Sequence, residues 1–181
     1  MDECLLYVWG INLKNTALLI IDMQNGLLKR DVFNKQSLIE NIKQLQSYAH
    51  NNNLQVVFFR HANNSFSKKY SKEWEIAEIL TPIDNDIVID KIHSSIFKEE
   101  SFLELLLSKN INTIVVCGLV SNGCIQVACI DAKKNDIKAI LISDAHSTWH
   151  KDAQKLIDDR NLRLSTEGVE VKSVQEYISV L

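Results

Sequence analysis

A cysteine stands where a very apolar run gives way to a helix-like pattern, in the stretch GLVSNGCIQVACIDAKK (118–134). The preceding Ser-Asn-Gly favours a helix start, and the residues after the cysteine have helical periodicity. We therefore expect Cys124 in the first helical turn, where unpaired amides and the helix dipole favour a thiolate and lower the pKa of the thiol. Cys124 is either such a nucleophile or a small buried residue, the role expected for Cys117 and Cys129.

Two charged residues, Asp22 and Lys91, end apolar segments elsewhere in the chain. Taken alone, Asp22 is either a cap for the following turn or a general base in a partly dry pocket. Taken alone, Lys91 is typical of a solvated rim residue. With Cys124 they form a coherent set, because Asp22 can take the thiol proton while Lys91 stabilises negative charge and Cys124 attacks an electrophilic carbon. Main-chain N–H groups at the helix start could bind the resulting oxyanion.

Short runs rich in valine, isoleucine and leucine predict strands that are buried on both faces, as in a parallel sheet. They are 16–22, 54–60, 86–90, 113–118, 138–144 and 169–172. Stretches with helical spacing lie between and after them, at 35–52, 72–80, 99–110, 122–135, 152–164 and 173–181. This alternation predicts an α/β fold, a three-layer α/β/α sandwich around a mainly parallel sheet. Sites in such folds lie at the carboxyl ends of the strands, where Asp22, Lys91 and the segment after Gly118 would meet.

The overall composition is that of an ordinary globular chain. Its 181 residues predict one domain, 1–181, and a net charge of −3 argues against a nucleic-acid partner. The start is acidic where a secretory signal would be basic, and no apolar run approaches the roughly 20 residues needed to cross a bilayer. We therefore expect a cytoplasmic protein with no membrane partner. The four cysteines form no C-x-x-C pair and are expected to be free thiols.

Four motifs follow one another in order: ALLIIDMQNGLL, VIDKIHSSIF, VVCGLVSNGCIQVACIDA and LISDAHSTW. With this order and spacing, nearly the whole chain resembles the isochorismatase-like family of cysteine hydrolases, which includes nicotinamidases, carbamoylsarcosine amidases and isochorismatases. The resemblance implies that Asp22, Lys91 and Cys124 are the catalytic residues. It also implies a non-proline cis peptide between Val120 and Ser121, which would turn the amides of Ser121 and Cys124 toward one oxyanion position. Family members generally form dimers or tetramers, so the resemblance implies a homo-oligomer.

The chain departs from the family pattern in three places. The family usually has threonine where this chain has Ser121, which keeps the hydroxyl, and often a bulky residue where it has Gly123. Nicotinamidases bind a metal just after the second strand, where FFRHANNSF offers His61 but no nearby carboxylate. His146 and His150 are four residues apart, but SDAHSTW resembles a family loop beside the site more than a metal site. We expect no metal and no cofactor.

Further residues are predicted to lie around the substrate because they fall in these motifs or in neighbouring loops. They are Gln24, Phe33, Arg60, Trp74, Val120 and Trp149. An aromatic residue at such a place is as often packing as recognition, and Trp74 lies on a helix-like segment that equally suits a core position. The polar stretch 61–75 is expected to line or cover the crevice.

Three functions remain open for a small-molecule substrate. In amide hydrolysis, Cys124 attacks the carbonyl and forms a thioester, which water activated by Asp22 then clears. In isochorismatase-type cleavage of a vinyl ether, an acid such as Asp22 matters more than the thiol. A non-catalytic small-ligand or nucleotide-binding module is the third, against which DMQNGLL lacks any glycine-rich phosphate motif. A thiol redox protein would need a resolving cysteine, and Cys129 lies more than one helical turn away.

Overall fold

The computed structural model describes residues 7–8, 11–63 and 67–179. A small antiparallel pair, β1 (Tyr7–Val8) and β2 (Ile11–Asn12), precedes a parallel sheet of six strands. These strands are β3 (Thr16–Ile21), β4 (Gln55–His61), β5 (Ile87–Lys91), β6 (Thr113–Leu119), β7 (Lys138–Ser147) and β8 (Glu170–Lys172). Their spatial order is β5-β4-β3-β6-β7-β8. The predicted mainly parallel sheet is confirmed.

Helices cover both faces of the sheet. They are α1 (Asn25–Leu28), α2 (Lys35–Asn51), α3 (Glu100–Ser108), α4 (Gln126–Lys134), α5 (Ala153–Thr166) and α6 (Val174–Ile178). Helices α2 and α6 contribute to one apolar cluster, whereas α3, α4 and α5 contribute to the other. The three-layer α/β/α sandwich is therefore as predicted. Among the described residues, no helix combines the length and the apolar character that a membrane span requires.

Strand β3 shows why the continuous apolar runs fold this way. All of its side chains are buried, and alternate residues point to opposite faces of the sheet. Leu18 and Ile20 belong to the cluster under α2, and Leu19 and Ile21 belong to the cluster under α3 and α4. A strand covered by helices on both sides needs apolar side chains at every position, which is the pattern that the sequence has.

The strand order places a crevice at one end of the sheet. Strand β3 lies between β4 and β6, and the chain proceeds from β3 to one side and later returns to the other. Where the winding direction reverses in this way, the carboxyl ends of the strands leave a crevice between the flanking loops. Asp22 follows β3, Lys91 ends β5, and a wide turn, Ser121–Ile125, follows β6. The fold therefore brings the three candidate catalytic residues to one edge.

The segment 72–80 was predicted to be helical, and this prediction is wrong. Only Glu78–Leu80 forms a short 3₁₀ turn. The preceding backbone pairs with the segment after β3: the amides of Asn25 and Gly26 donate to the carbonyls of Glu75 and Glu73, at 2.9 and 2.7 Å. These long-range hydrogen bonds replace the helical ones. Residues 64–66 of the predicted crevice loop, 61–75, lie outside the described residues.

Gly118 in β6 shows a close approach that the sequence alone did not reveal. It pairs with Ile21 of β3 and has a φ of +116°. A Cβ atom built there would lie 2.1 Å from the carbonyl oxygen of Ile21, well inside van der Waals contact. Both the backbone conformation and the space therefore require glycine at this position.

We expect Gly118→Ala to lower the free energy of unfolding by about 3 kcal/mol or more, because backbone strain and overpacking add together. Gly168→Ala is the matched control. Gly168 has a φ of +90°, but its added Cβ would have no neighbour closer than the Lys133 Nζ at 3.7 Å. Strain alone should cost about 1–2 kcal/mol there. Urea unfolding of both variants measures the difference, and equal losses would show that the contact with Ile21 relaxes at little cost.

Candidate active site

Cys124 lies in a turn that the strand β6 and the helix α4 hold between them. Ser121–Ile125 forms a single wide, π-type turn, and α4 begins only at Gln126. Gly123, directly before the cysteine, has non-helical angles of φ −130° and ψ −116°. Cys124 was predicted to lie in the first turn of the helix. In the structure it lies before the regular helix, so this prediction is wrong. Its side chain is partly buried, whereas Cys117 and Cys129 are fully buried as expected.

Lys91 connects the other two candidate residues. Its Nζ donates to Asp22 Oδ2 at 2.9 Å and to Cys124 Sγ at 3.2 Å. Lys91 is 1% exposed, so this ammonium group lies inside the protein. A buried charge of this kind requires a compensating partner, and the Asp22 carboxylate provides it. The structure thus brings together the three residues that the sequence predicted as a set.

Asp22 is held rigidly at the end of β3. Its φ is +56°, a left-handed conformation that is uncommon for residues other than glycine and that clusters at functional sites. Its amide donates to the carbonyl of Phe59 at 3.0 Å, and its own carbonyl accepts from the amide of Gln24. One carboxylate oxygen binds Lys91, while Oδ1 is buried without a hydrogen-bond partner among the described residues. A buried oxygen of this kind is available to receive a proton.

The electrostatics of the three residues favour a neutral thiol beside an ion pair. Burial raises the pKa of Cys124 to about 12, and the negative charge of Asp22 adds to this effect more than Lys91 opposes it. Burial alone would lower the pKa of Lys91, but the negative charge of Asp22 and the hydrogen bonds to Asp22 and Cys124 outweigh it and raise that pKa. The sequence predicted a thiol pKa lowered by the helix start. In the structure, burial and the negative charge of Asp22 act on the thiol instead, and the direction is reversed.

His61 lies beside Asp22, Lys91 and Cys124, the three candidate catalytic residues that we call the triad. It ends β4 and pairs in register with Lys91 on β5, and its Nδ1 lies 3.4 Å from Lys91 Nζ. Burial and then the charge of Lys91 lower the pKa of His61, so the ring is neutral at pH 7. The sequence left the role of His61 open. The parallel pairing of two strand ends could have indicated it, but strand register is not readable from one chain.

The non-proline cis peptide implied by the resemblance is present one residue earlier than expected. It joins Leu119 to Val120, so the prediction of a cis bond between Val120 and Ser121 is wrong. Strand β6 continues through Leu119, and the cis bond lies directly between the strand and the turn. Val120 caps the turn, because its carbonyl accepts from the amides of Gly123 and Ile125. That the amides of Ser121 and Cys124 bind an oxyanion stays a prediction.

Gln24 was predicted to lie around the substrate, but its side chain is hydrogen-bonded to protein groups. It is 0% exposed, and its Nε2 donates to the carbonyls of His61 and Trp74 at 3.0 and 2.8 Å. Its Oε1 accepts from the amide of His61 at 2.8 Å. Gln24 therefore fastens β4 and the loop after it to the end of β3, and so supports the wall of the site.

Arg60 and Trp74 bind each other. The Arg60 guanidinium lies 3.6 Å from the centre of the Trp74 ring and forms ion pairs with Asp90 and Glu75. Trp74 itself is 3% exposed. The structure places both side chains in a packed charged and aromatic cluster beside the loop, and their predicted contact with a substrate is not supported by this placement.

Phe33, Val120 and Trp149 lie around the other side of the turn. Val120 and Trp149 are half-buried and pack on the cluster under α2, and Arg30 stacks on the Trp149 ring at 4.1 Å. The carbonyl of Phe33 accepts from Ser147 Oγ, and its amide donates to the carbonyl of Thr148. Their contact with a substrate stays a prediction.

The two remaining candidate histidines, His146 and His150, have different surroundings. His146 is buried and hydrogen-bonded to protein groups, whereas His150 Nδ1 accepts from the amide of Asp152. In the part of the chain that the structure describes, no group of three or more histidine, cysteine or acidic side chains is arranged to hold a metal ion. The groups gathered around Lys91 are a thiol, a carboxylate and a neutral imidazole.

Comparisons with known proteins identify a family. A family model described as an isochorismatase domain matches residues 16–168. A protein of Pseudomonas chlororaphis named "Probable isochorismatase" is 22% identical over 160 residues, which cover 80% of this chain and 77% of that protein. The ureidoacrylate amidohydrolase RutB of Pseudomonas syringae is 24% identical over 170 residues, 72% of this chain and 69% of the relative.

A solved structure gives the same fold over nearly the whole chain. The crystal structure of a cysteine hydrolase from Pseudomonas syringae pv. phaseolicola has a TM-score of 0.89 and 23% sequence identity, and the match covers 97% of this chain and 96% of that one. At this identity the likeness concerns the fold.

Proposed function

This chain belongs to the isochorismatase family of hydrolases, and we propose that it hydrolyses the C–N bond of a small-molecule amide through a thioester on Cys124. One observation carries the proposal: Lys91 Nζ lies within hydrogen-bond distance of both Asp22 Oδ2 and Cys124 Sγ, at 2.9 and 3.2 Å. A nucleophile and a base that are held by the same cation are what acyl transfer requires. The similarity to a ureidoacrylate amidohydrolase supports an amide as the substrate.

The thioester forms in one balanced step. The raised thiol pKa means that Cys124 approaches the carbonyl as a thiol, so a base must remove its proton during attack. Asp22 accepts this proton, the sulfur bonds to the carbonyl carbon, and the C–N bond breaks. Asp22 then passes the proton to the departing nitrogen, which leaves as ammonia or an amine. Lys91 stays protonated and offsets the negative charge that moves between the other two residues.

Water completes the cycle. After the amine has left, Asp22 is again a carboxylate, and its Oδ1 has no partner among the described residues. It can take a proton from water, whose oxygen attacks the thioester carbon. The carboxylic acid leaves, and the proton returns to the sulfur of Cys124. The same carboxylate thus acts as base in both halves of the reaction.

A second candidate function is cleavage of a vinyl ether, and the similarity to a protein named "Probable isochorismatase" favours it. In this reaction an acid protonates the substrate and no covalent bond to sulfur is required. Asp22 and Lys91 would remain necessary, whereas Cys124 would not. The two functions therefore differ in whether a covalent acyl adduct forms on Cys124.

A screen of small primary amides for ammonia release tests the proposal. We expect at least one amide to release ammonia and, after rapid acid quenching, to leave an acyl mass on the Cys124 peptide. The Cys124→Ala variant is the blank, and Cys129→Ala is the matched control because that thiol is fully buried in α4. Cleavage of a vinyl ether that survives Cys124→Ala, with no amide turnover, would contradict the proposal and favour the second function. Assembly into a dimer or tetramer and a cytoplasmic location stay predictions.

A further inference from the structure

A chain of hydrogen bonds, buried at its start and partly buried beyond it, runs from the cysteine turn to the helix α5. Ser121 Oγ lies 2.8 Å from His146 Nδ1, and His146 Nε2 lies 2.8 Å from Asn161 Oδ1. Asn161 Nδ2 in turn donates to the carbonyl of Ser143 at 3.2 Å. Ser121 is 0% exposed and His146 is 3% exposed, so neither side chain contacts solvent to any extent. The turn, the strand β7 and the helix α5 are thereby linked.

The direction of each hydrogen bond follows from the last one. Because Asn161 Nδ2 donates to a carbonyl, its Oδ1 faces His146 and can only accept, so His146 Nε2 carries a proton. Burial lowers the pKa of His146 more than its bond to Asn161 and the charge of Asp144 raise it, and the ring is neutral. Its Nδ1 is then an acceptor. The Ser121 hydroxyl must therefore donate to His146.

An irregularity in β7 brings His146 to this place. The pairing of β6 with β7 changes from Val116 opposite Leu141 to Gly118 opposite His146. An advance of two residues along β6 thus corresponds to an advance of five residues along β7, and the extra residues of β7 form a bulge. Bulges next to active sites redirect side chains, and this one directs an imidazole toward the start of the cysteine turn.

The cysteine turn is closed by one short bond, from the amide of Gly123 to the carbonyl of Val120 at 2.9 Å, but its backbone is otherwise irregular. It is wider than an α-helical turn, and Gly123 within it has non-helical angles. The bond from the amide of Ile125 to the carbonyl of Val120 is long, at 3.4 Å. A second tie comes from the residue directly after β7, where Thr148 Oγ1 donates to Asn122 Oδ1 at 3.3 Å. At 2.8 Å, the bond between Ser121 and His146 is the shorter of the two side-chain ties to the start of the turn, while Lys91 Nζ binds its other end at Cys124 Sγ.

We propose that His146, in its Nε2–H tautomer, is a positioning residue that orients the cysteine turn for oxyanion binding through the Ser121 hydroxyl. The inference rests on the proposed function, since it assigns the rate of acyl transfer to the placement of the turn's amides. His146 does not touch the substrate in this role. A displacement of about 1 Å in such a group can slow a reaction about 100-fold.

Two reagents separate the orientation of the turn from the reactivity of the thiol. p-Nitrophenyl acetate transfers its acetyl group to the Cys124 sulfur and releases p-nitrophenol, through an oxyanion that the turn must bind. Iodoacetamide alkylates the same sulfur with loss of iodide and forms no oxyanion. We expect Ser121→Ala and His146→Leu each to slow acetylation about 10- to 100-fold, with alkylation of Cys124 changed less than about twofold. Peptide mass mapping assigns both products to Cys124.

Conservative and control variants complete the test. Ser121→Thr keeps the hydroxyl and should retain acetylation within about twofold, and the double variant should be no slower than either single one because both break the same bond. Asn41→Ala removes a different side-chain bond to the same strand, from Asn41 Nδ2 to the carbonyl of Asp144, and should leave acetylation unchanged. Ser121→Ala keeps the test open if His146→Leu does not fold.

The outcomes distinguish this inference from the proposed function. Unchanged acetylation in folded Ser121→Ala, or a parallel loss of acetylation and alkylation, would overturn the positioning role while the parent chain still forms the thioester. A parent chain that is alkylated but never acetylated at Cys124 would overturn the proposed function and this inference with it. Nitrogen-15 shifts showing a proton on His146 Nδ1 would also overturn the inference.

Discussion

Asp22→Asn is expected to change two properties of Cys124 in opposite directions. Amide turnover should fall about 100- to 10,000-fold, because the base that takes the thiol proton is lost. Alkylation of Cys124 by iodoacetamide near pH 8 should instead become about 10-fold faster or more, because each unit of lowered pKa raises the thiolate fraction about 10-fold. A variant that makes the nucleophile more reactive would thus be nearly inactive.

The direction of the change in the pKa of Cys124 follows from the charges around its sulfur. In the parent chain, burial and the negative charge of Asp22 raise the pKa of Cys124 to about 12, so the thiol is protonated at neutral pH. Asparagine removes the negative charge but keeps the shape of the side chain. Lys91, with its Nζ 3.2 Å from the sulfur, is then the nearest charge and favours the thiolate. The pKa of Cys124 therefore falls and its alkylation begins at lower pH.

Alkylation rates across pH 6 to 10, located on the Cys124 peptide, measure this shift beside steady-state ammonia release. Asp90→Asn is the matched control. Asp90 is next to Lys91 in the chain, but its carboxylate binds Arg60 and Lys69 and not the triad. It should leave both properties unchanged. Slower alkylation in Asp22→Asn, or amide turnover within 10-fold of the parent, would show that Asp22 is not the base.

The fold was largely readable from the chain because its cause is local. A strand covered on both faces must be apolar where it is covered, and β3, β6 and the central residues 56–59 of β4 show this in their sequence. The segment 72–80 has a helical pattern, but its backbone carbonyls accept hydrogen bonds from residues more than 40 positions earlier in the chain. Pairing at that distance leaves no periodic signal in the segment itself.

The sequence predicted that three candidate residues lie together, but it did not predict the electrostatics around them. Asp22, Lys91 and Cys124 were identified from motifs at strand ends, and the topology does bring them together. The direction of the thiol pKa depends on burial and on which charge lies nearer, and neither is written in the motif. The contact between Ser121 and His146 depends on a bulge in β7, and register shifts of that kind are set by packing across several strands.

Lys91→Met is expected to reduce both stability and activity. It removes the partner of a carboxylate that is 3% exposed, and an uncompensated buried charge costs about 3–5 kcal/mol. For a chain of 181 residues this corresponds to a fall in Tm of roughly 6–20 °C. Amide turnover should fall about 100-fold or more, because no cation then offsets the charge that develops on the sulfur and the carbonyl oxygen.

A double variant shows whether the loss of stability comes from the buried charge or from lost packing. Lys91→Met with Asp22→Asn removes both charges and should be more stable than Lys91→Met alone, although it remains inactive. Lys138→Met is the control, since Lys138 also lies on a strand and pairs with Glu170 at 2.7 Å, but near the surface. Its loss should cost less than about 1 kcal/mol. Calorimetry on the parent chain, Lys91→Met, the double variant and Lys138→Met measures these differences in stability. A double variant no more stable than Lys91→Met would mean that Asp22 carries no uncompensated charge in Lys91→Met. The loss of stability would then come from lost packing and not from the broken ion pair.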